Sequence, residues 1–218
     1  MNKVDLLLID NYDSFTYNLY DLFYSIDGVS LTVKRNDEDF IHELDQGKYD
    51  AVVIGPGPGS PMDQAYFGNC LQVIQEYGTR GLPILGICLG FQGIAYAFGA
   101  SLKRCQLPIH GKLSPLTITK HDTLFSGITE SPMVMRYHSL MIDPDASLPD
   151  ELLFTAMVKE TEESSMINGR EWMALEHIEY PIYGIQFHPE SYATETGRLI
   201  AKNFLVASGK LPAQVGVC

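Results

Sequence analysis

Cys88 stands between two glycines in Gly86-Ile87-Cys88-Leu89-Gly90, a spacing that lets a chain turn sharply from strand to helix and display one side chain at the bend. A thiol held there lies at a helix N-terminus, where the macrodipole and the free backbone amides favour thiolate over thiol. The amide of Leu89 in the same turn faces any carbonyl that the sulfur attacks, so one oxyanion donor is built in. The chemistry served is nucleophilic attack on an acyl carbon. The competing reading is a small buried cysteine in an α/β core, and a partner base is what separates the two.

A base is offered by His188-Pro189-Glu190. An imidazole needs a third group to hold its tautomer, and His-x-Glu supplies both from one loop. The loop 55–61, Gly-Pro-Gly-Pro-Gly-Ser-Pro, is a poor phosphate cradle, because Pro56 and Pro58 have no N–H to donate and neither a G-x-G-x-x-G pattern nor a Walker lysine follows. It suits close backbone approach, and Gly57, which can donate an amide, is the candidate second oxyanion donor. No third ligand of regular spacing accompanies His188 and Glu190 and the HExxH pattern is absent, so no metal and no cofactor are expected.

These residues need a scaffold that places three loops side by side. Residues 6–9 read as a fully buried strand, followed by a helix to about Tyr24 that Asp13 or Ser14 would cap. Strands at 31–35 and 49–54, a helical pattern at 66–77 and a buried strand at 83–87 continue the alternation, which argues for a parallel sheet covered on both faces. After Ala100 shorter alternating segments at 116–119, 133–137, 152–156 and 172–176 read as an antiparallel or mixed extension. A buried strand at 183–187 and a closing helix at about 196–205 complete the pattern, with 159–170 as a polar surface loop. In a parallel sheet the ligand crevice lies beyond the carboxyl ends of the strands, where 55–61, 88–92 and 188–191 all fall.

The bulk composition narrows the classes of partner. The 218 residues carry 27 acidic and 15 basic side chains, a formal net charge of −12, and such a field repels nucleic-acid backbone and anionic lipid. The apolar run at 6–9 is too short for a signal or a membrane span, so neither nucleic acid nor membrane is expected as a partner and the cytoplasm is the expected compartment. The four cysteines, Cys70, Cys88, Cys105 and Cys218, form no Cys-x-x-Cys pair and fit reduced thiols. One domain is expected over 1–218, with its core at about 4–206 and a tail from about 207. The aromatic cluster Tyr12, Phe15, Tyr17, Tyr20, Phe23 and Tyr24 is expected in the core and at an interface rather than around a ligand.

Taken together, Ile9-Asp10-Asn11-Tyr12-Asp13-Ser14-Phe15-Thr16-Tyr17-Asn18, Gly55-Pro56-Gly57-Pro58-Gly59, Gly86-Ile87-Cys88-Leu89-Gly90-Phe91-Gln92, His110-Gly111-Lys112, Arg136-Tyr137-His138-Ser139-Leu140 and Gly184-Ile185-Gln186-Phe187-His188-Pro189-Glu190-Ser191 resemble the class I glutamine amidotransferases, almost from end to end. The likeness is to the subgroup serving chorismate-using synthases, which comprises the glutaminase components of anthranilate synthase and of 4-amino-4-deoxychorismate synthase. It implies an α/β fold of the class I glutamine amidotransferase (flavodoxin-like) kind, a mostly parallel sheet flanked by helices with a smaller antiparallel or mixed extension. It also implies a Cys88–His188–Glu190 triad acting on L-glutamine, the backbone of Gly57 and Leu89 as oxyanion donors, Gln92 with the backbone of Ser139 and Leu140 as the glutamine cradle, and a chorismate-binding synthase subunit that takes the ammonia. Segments 33–37 and 143–149 look slightly closer to the aminodeoxychorismate type. Two departures stand out: Phe91 replaces the family's usual histidine, and Glu176 stands where many relatives carry a basic residue. His138 fits a positioning role better than a catalytic one, and His110-Gly111-Lys112 fits either a partner contact or a solvated turn. The other functions weighed are a stand-alone cysteine hydrolase of γ-glutamyl compounds or peptides and a non-catalytic binding subunit on the same fold.

Overall fold

The computed structural model describes residues 3–161 and 167–212. Its strands are β1 (Val4–Asp10), β2 (Val29–Arg35), β3 (Ala51–Ile54), β4 (Ile84–Ile87), β5 (Leu102–Ile118), β6 (Met133–Ile142), β7 (Leu152–Val158), β8 (Trp172–His177) and β9 (Ile182–Ile185). Its helices are α1 (Thr16–Tyr24), α2 (Ile41–Asp45), α3 (Gln64–Phe67), α4 (Cys70–Gln72), α5 (Leu89–Ala97) and α6 (Gly197–Ala207). All strands join one sheet in the order β2-β1-β3-β4-β9-β8-β7-β5-β6. From β2 to β9 neighbours run parallel, and from β9 to β6 they run antiparallel.

Apolar continuity explains the parallel half. Leu6, Leu7, Leu8 and Ile9 are wholly buried, as are Val52, Val53 and Ile54, because helices cover both faces of these strands. Leu6, Leu8, Val53 and Leu85 pack with Leu19, Phe23 and Phe204 of α1 and α6 on one face. Leu7, Ile9, Val52 and Ile54 pack with Phe67, Ile74, Phe91 and Ile94 on the other. The chain leaves β1 for β2 on one side and returns to β3 on the other, so the switch point lies between β1 and β3, at the end where the glycine–proline loop follows β3.

Several elements depart from the reading of the sequence. The helix expected at 66–77 is broken: Gly68 has a φ of 48° and a Cβ there would lie 2.4 Å from the Asn36 carbonyl oxygen, so α3 ends and α4 starts afresh before a π-turn over Val73–Tyr77. Neither Asp13 nor Ser14 is the N-cap of α1. That position is Phe15, while the Asp13 carboxylate accepts the Phe15 amide at 3.0 Å and Thr16 Oγ1 donates to Asp10 Oδ1 at 2.7 Å. Strand β5 runs for 17 residues through Pro108 and Gly111, with register shifts on β6 that absorb both. His110-Gly111-Lys112 is therefore a bulged strand segment, not a turn. Of the aromatic cluster only Phe23 is fully buried, while Tyr12, Phe15, Tyr17 and Tyr24 are exposed. Cys70, Cys88 and Cys105 are free thiols; Cys218 and residues 162–166 of the expected surface loop lie outside the described residues.

The turn between β4 and α5 is closely packed against its neighbours. A Cβ on Gly90 would sit 2.3 Å from the Ile54 carbonyl oxygen, and one on Gly86 would sit 2.5 Å from the Gly90 backbone. Backbone cannot yield as a side chain does, so Gly90→Ala is expected to cost about 1–3 kcal/mol of stability. In a chain of this size that is a fall of roughly 2–10 °C in Tm. An unchanged Tm in a thermal scan would show that helix and strand have more room than this.

Candidate active site

Cys88 is the residue between β4 and α5, with φ 53° and ψ −99°. A non-glycine residue there carries strain of roughly 1–3 kcal/mol, held by its surroundings. The Cys88 amide donates to Ile185 O at 2.9 Å, and its carbonyl accepts from the Gln92 amide at 3.0 Å. The next residue, Leu89, opens α5, where the first amides have no acceptor within the helix. Sγ lies 3.8 Å from Tyr137 O and accepts from Gln186 Nε2 at 3.5 Å.

His188 follows β9 and is 4% exposed. Its amide donates to Met135 O at 3.0 Å, fastening the loop to β6. Nδ1 and Glu190 Oε1 are 2.6 Å apart, both side chains being buried. Among the described residues Nε2 has no hydrogen-bond partner of good geometry, and Cys88 is the group that holds its charge. Burial works against an imidazolium here, yet the nearby Cys88 sulfur and then the Glu190 carboxylate outweigh it and raise the His188 pKa to about 10. The Tyr137 ring meets the imidazole edge-on with centroids 5.3 Å apart, and Phe15 stacks on Tyr137 at 6.5 Å. Burial raises the Asp13 carboxyl, against the pull of the nearby His188 charge.

Hairpin β5–β6 closes the site from above, placing Tyr137, Ser139 and Leu140 beside the turn. Gln92 is 3% exposed and donates from Nε2 to Leu140 O at 3.1 Å and to Gln186 Oε1 at 3.0 Å. A chain of amides thus runs from β6 through Gln92 and Gln186 to the Cys88 sulfur. The family likeness makes Gln92 part of a ligand cradle; here its Nε2 is tied to Leu140 and Gln186, which fixes the side chain beside the sulfur. Ser139 is exposed beside it and Leu140 half-buried. Gly57 comes within 2.5 Å of Asn11 and 3.1 Å of Leu89 Cδ2, measured from where its Cβ would stand, so the glycine–proline loop does press against the turn. Gln186 and Asn11 are residues to which the sequence alone gives no role. Both lie within segments that stand out as motifs, but only their partners in space mark them.

Behind β6 lies a buried polar cluster. Arg136 donates to the Glu171 carboxylate, to Ser114 Oγ at 2.9 Å and to His138 Nε2 at 3.2 Å. Arginine only donates, so Nε2 accepts and Nδ1 carries the proton, which it gives to Leu140 O at 3.0 Å. Burial, then the Arg136 charge, lowers the His138 pKa to about 3. Cys105, His138 and Glu171 point ligand atoms within 4.8 Å of one another, but the Arg136 guanidinium engages both His138 and Glu171, and a cation at that place is a poor companion for a metal ion. Phe91 is wholly buried, and Glu176 pairs with Lys120 and accepts from Thr123 Oγ1 at 2.7 Å.

Known proteins share this arrangement's sequence and fold. The family model described as glutamine amidotransferase class-I matches residues 7–208. Aminodeoxychorismate synthase component 2 of Escherichia coli is 44% identical, covering 92% of this chain and 98% of its own. Anthranilate synthase component 2 of Leptospira biflexa is 42% identical over the same shares, 92% and 98%. A crystal structure from Thermoplasma acidophilum, described as that of a GMP synthase component, superposes with a TM-score of 0.78 at 27% identity, covering 96% of each chain.

Two titrations test the electrostatics. In Cys88→Ala the larger of the two contacts raising His188 is gone while burial still lowers it, so its NMR titration midpoint is expected to fall from about 10 towards or below 6.5; a midpoint that stays put would sink the pairing. For His138 the sign is opposite: between pH 6.5 and about 3 the unfolded imidazole binds a proton that the folded one refuses, so stability falls as pH falls through that window. His138→Gln removes this linkage and is expected to lose less stability than the unaltered chain between about pH 7 and about pH 4 in urea denaturation. Parallel losses would show that His138 takes up a proton in place.

Proposed function

The chain belongs to the class I glutamine amidotransferase family, and from that premise we propose that it is the glutaminase subunit of a chorismate-using synthase, with Cys88, His188 and Glu190 as its catalytic triad. The observation that carries the reading is the strained Cys88 turn with its sulfur beside His188, whose other ring nitrogen is 2.6 Å from Glu190.

The chemistry follows from these positions. The Cys88 sulfur adds to the side-chain amide carbon of L-glutamine, and the carbonyl oxygen takes up the negative charge. In this reading the amides of Leu89 and Gly57 are the donors that receive it. His188, protonated because Cys88 and Glu190 hold its charge, gives its proton to the departing nitrogen, and the C–N bond breaks to leave a γ-glutamyl thioester and ammonia. Neutral His188 then takes a proton from water as it attacks the thioester, and glutamate and the thiolate–imidazolium pair are restored. Glu190 remains a carboxylate throughout and fixes the ring. Gln92 and the backbone of Ser139 and Leu140, on the strand edge beside the sulfur, hold the glutamine in this reading.

Ammonia released here must reach a second active site. Tyr12, Phe15, Tyr17, Tyr137 and Tyr192 are exposed on the segments that flank the site, an aromatic rim of the kind that partner surfaces use. This supports a synthase subunit docking over the opening. The two relatives described above are named for two different synthases, at 44% and 42% identity, and that narrow difference favours neither as the recipient.

With a chorismate-using synthase present, Cys88→Ala is expected to lower glutamine-dependent product formation by about 10⁴-fold or more. Product formation from added ammonium salt should be untouched. Glutamate release that survives the substitution would remove Cys88 as nucleophile. Hydrolysis of γ-glutamyl peptides by the chain alone, with none of glutamine when a synthase is added, would favour the stand-alone hydrolase.

A further inference from the structure

A site that depends on the amide of Gly57 needs the glycine–proline loop held in one orientation, since rotation of a single peptide would swing that N–H away. Glycines resist such rotation least. The restraint must therefore come from outside the loop, and the described residues supply it in a buried pair of asparagines.

Asn11 follows β1 and is 1% exposed; Asn36 follows β2 and is 2% exposed. Asn11 Nδ2 donates to Gly55 O at 2.8 Å. Asn11 Oδ1 accepts from Asn36 Nδ2 at 2.8 Å and from Cys70 Sγ at 3.3 Å. Asn36 Nδ2 also donates to Tyr66 O at 2.7 Å. The Tyr66 ring covers Gly59, where a Cβ would lie 2.2 Å from the ring. At the centre, the Asn11 Cβ and carbonyl oxygen close on Gly57 so tightly that an added Cβ would stand 2.5 Å from both. The beginning, middle and end of the 55–59 loop are thus all in contact with Asn11 or with the residue that Asn36 anchors. An apolar residue of similar size would fill the space equally well. Two buried primary amides bring desolvation costs of about 1–3 kcal/mol each unless their hydrogen bonds are made, which gives them an orienting effect that packing alone lacks.

We propose that Asn11, backed by Asn36, is a positioning residue that fixes the 55–59 loop with the Gly57 amide aimed at the oxyanion. The inference rests on the glutaminase reading above and adds to it a pair of buried residues outside the proposed triad.

The test compares two reactions of the same sulfur in the full chain with its synthase partner. Glutamine hydrolysis passes through an oxyanion, whereas alkylation of Cys88 by iodoacetamide displaces iodide and forms none. Asn11→Ala is expected to lower kcat for glutamine about 10²-fold, the effect of losing one oxyanion donor, with KM and the Cys88 alkylation rate, read by peptide mass, unchanged. Asn36→Ala leaves the bond to Gly55 O in place and is expected to lower kcat less, with the same pattern. Full activity in both variants, a raised KM with kcat kept, or alkylation falling in step with kcat in both would overturn the proposal. An unaltered chain that fails to hydrolyse glutamine at all would instead remove the glutaminase reading itself.

Discussion

A left-handed backbone at a cysteine is the constraint on which the rest of this structure depends. No intrinsic preference puts Cys88 at φ 53°; the cost is of order 1–3 kcal/mol, a sizeable share of a typical net stability of about 5–15 kcal/mol. It is met by packing that leaves the chain no alternative. Gly86 and Gly90 bring strand, turn and helix so close that a methyl group on either would overlap backbone. The Cys88 amide is meanwhile held by β9. That last bond also fixes the distance between the turn and the next strand end, where His188 leaves the sheet. The strain at the sulfur and the position of its base therefore share one cause.

Electrostatics completes what packing begins, and the two buried histidines show how the same side chain is driven in opposite directions. His188 and His138 are both nearly inaccessible, and burial lowers the pKa of each. His188 faces a sulfur and a carboxylate and rises to about 10, while His138 faces a guanidinium and falls to about 3. The charged ring is the one beside the reacting atom; the neutral ring holds the Leu140 carbonyl and shapes a wall. A site with two imidazoles of equal affinity would have no such division, because either could take the proton first.

Much of this is legible in the sequence, for reasons that differ by element. The parallel half is readable because strands buried on both faces are continuous apolar runs, as in residues 6–9, and because glycine punctuates their ends. The candidate triad is readable because its members follow such strands directly. Elements stabilised by distant contacts are not. Helix periodicity continues through 66–77, yet the approach of Asn36 to Gly68 breaks it, and no local signal carries that distance. Proline and glycine in β5 imply a turn, whereas register shifts against β6 absorb them. The contact of Gln92 Nε2 with Gln186 Oε1 is equally invisible in the sequence, since side-chain type cannot say which neighbour an amide meets.

Phe91 shows how far a departure in a motif can be judged once its neighbours are known. It stands three residues from the nucleophile, at a position where the family resemblance leads one to expect histidine, and proximity in sequence makes it look chemical. On a helix, however, three residues from Cys88 is a different question from three residues along a strand. The side chain of Phe91 belongs to the cluster of Ile9, Ile54, Phe67 and Ile94 on one face of the sheet, and it fills the space above Gly184, where a Cβ would lie 3.0 Å from its Cδ2. An imidazole there would be wholly buried in an apolar setting and would need hydrogen bonds to offset its desolvation, whereas a phenyl ring needs none. Phe91 therefore packs α5 against β9, the two elements that set the separation of Cys88 and His188. Where the sulfur and its base are already positioned by Gly86, Gly90 and the Ile185 carbonyl, an apolar ring at this point fills the support of the site and leaves the chemistry to the residues beyond the strand ends.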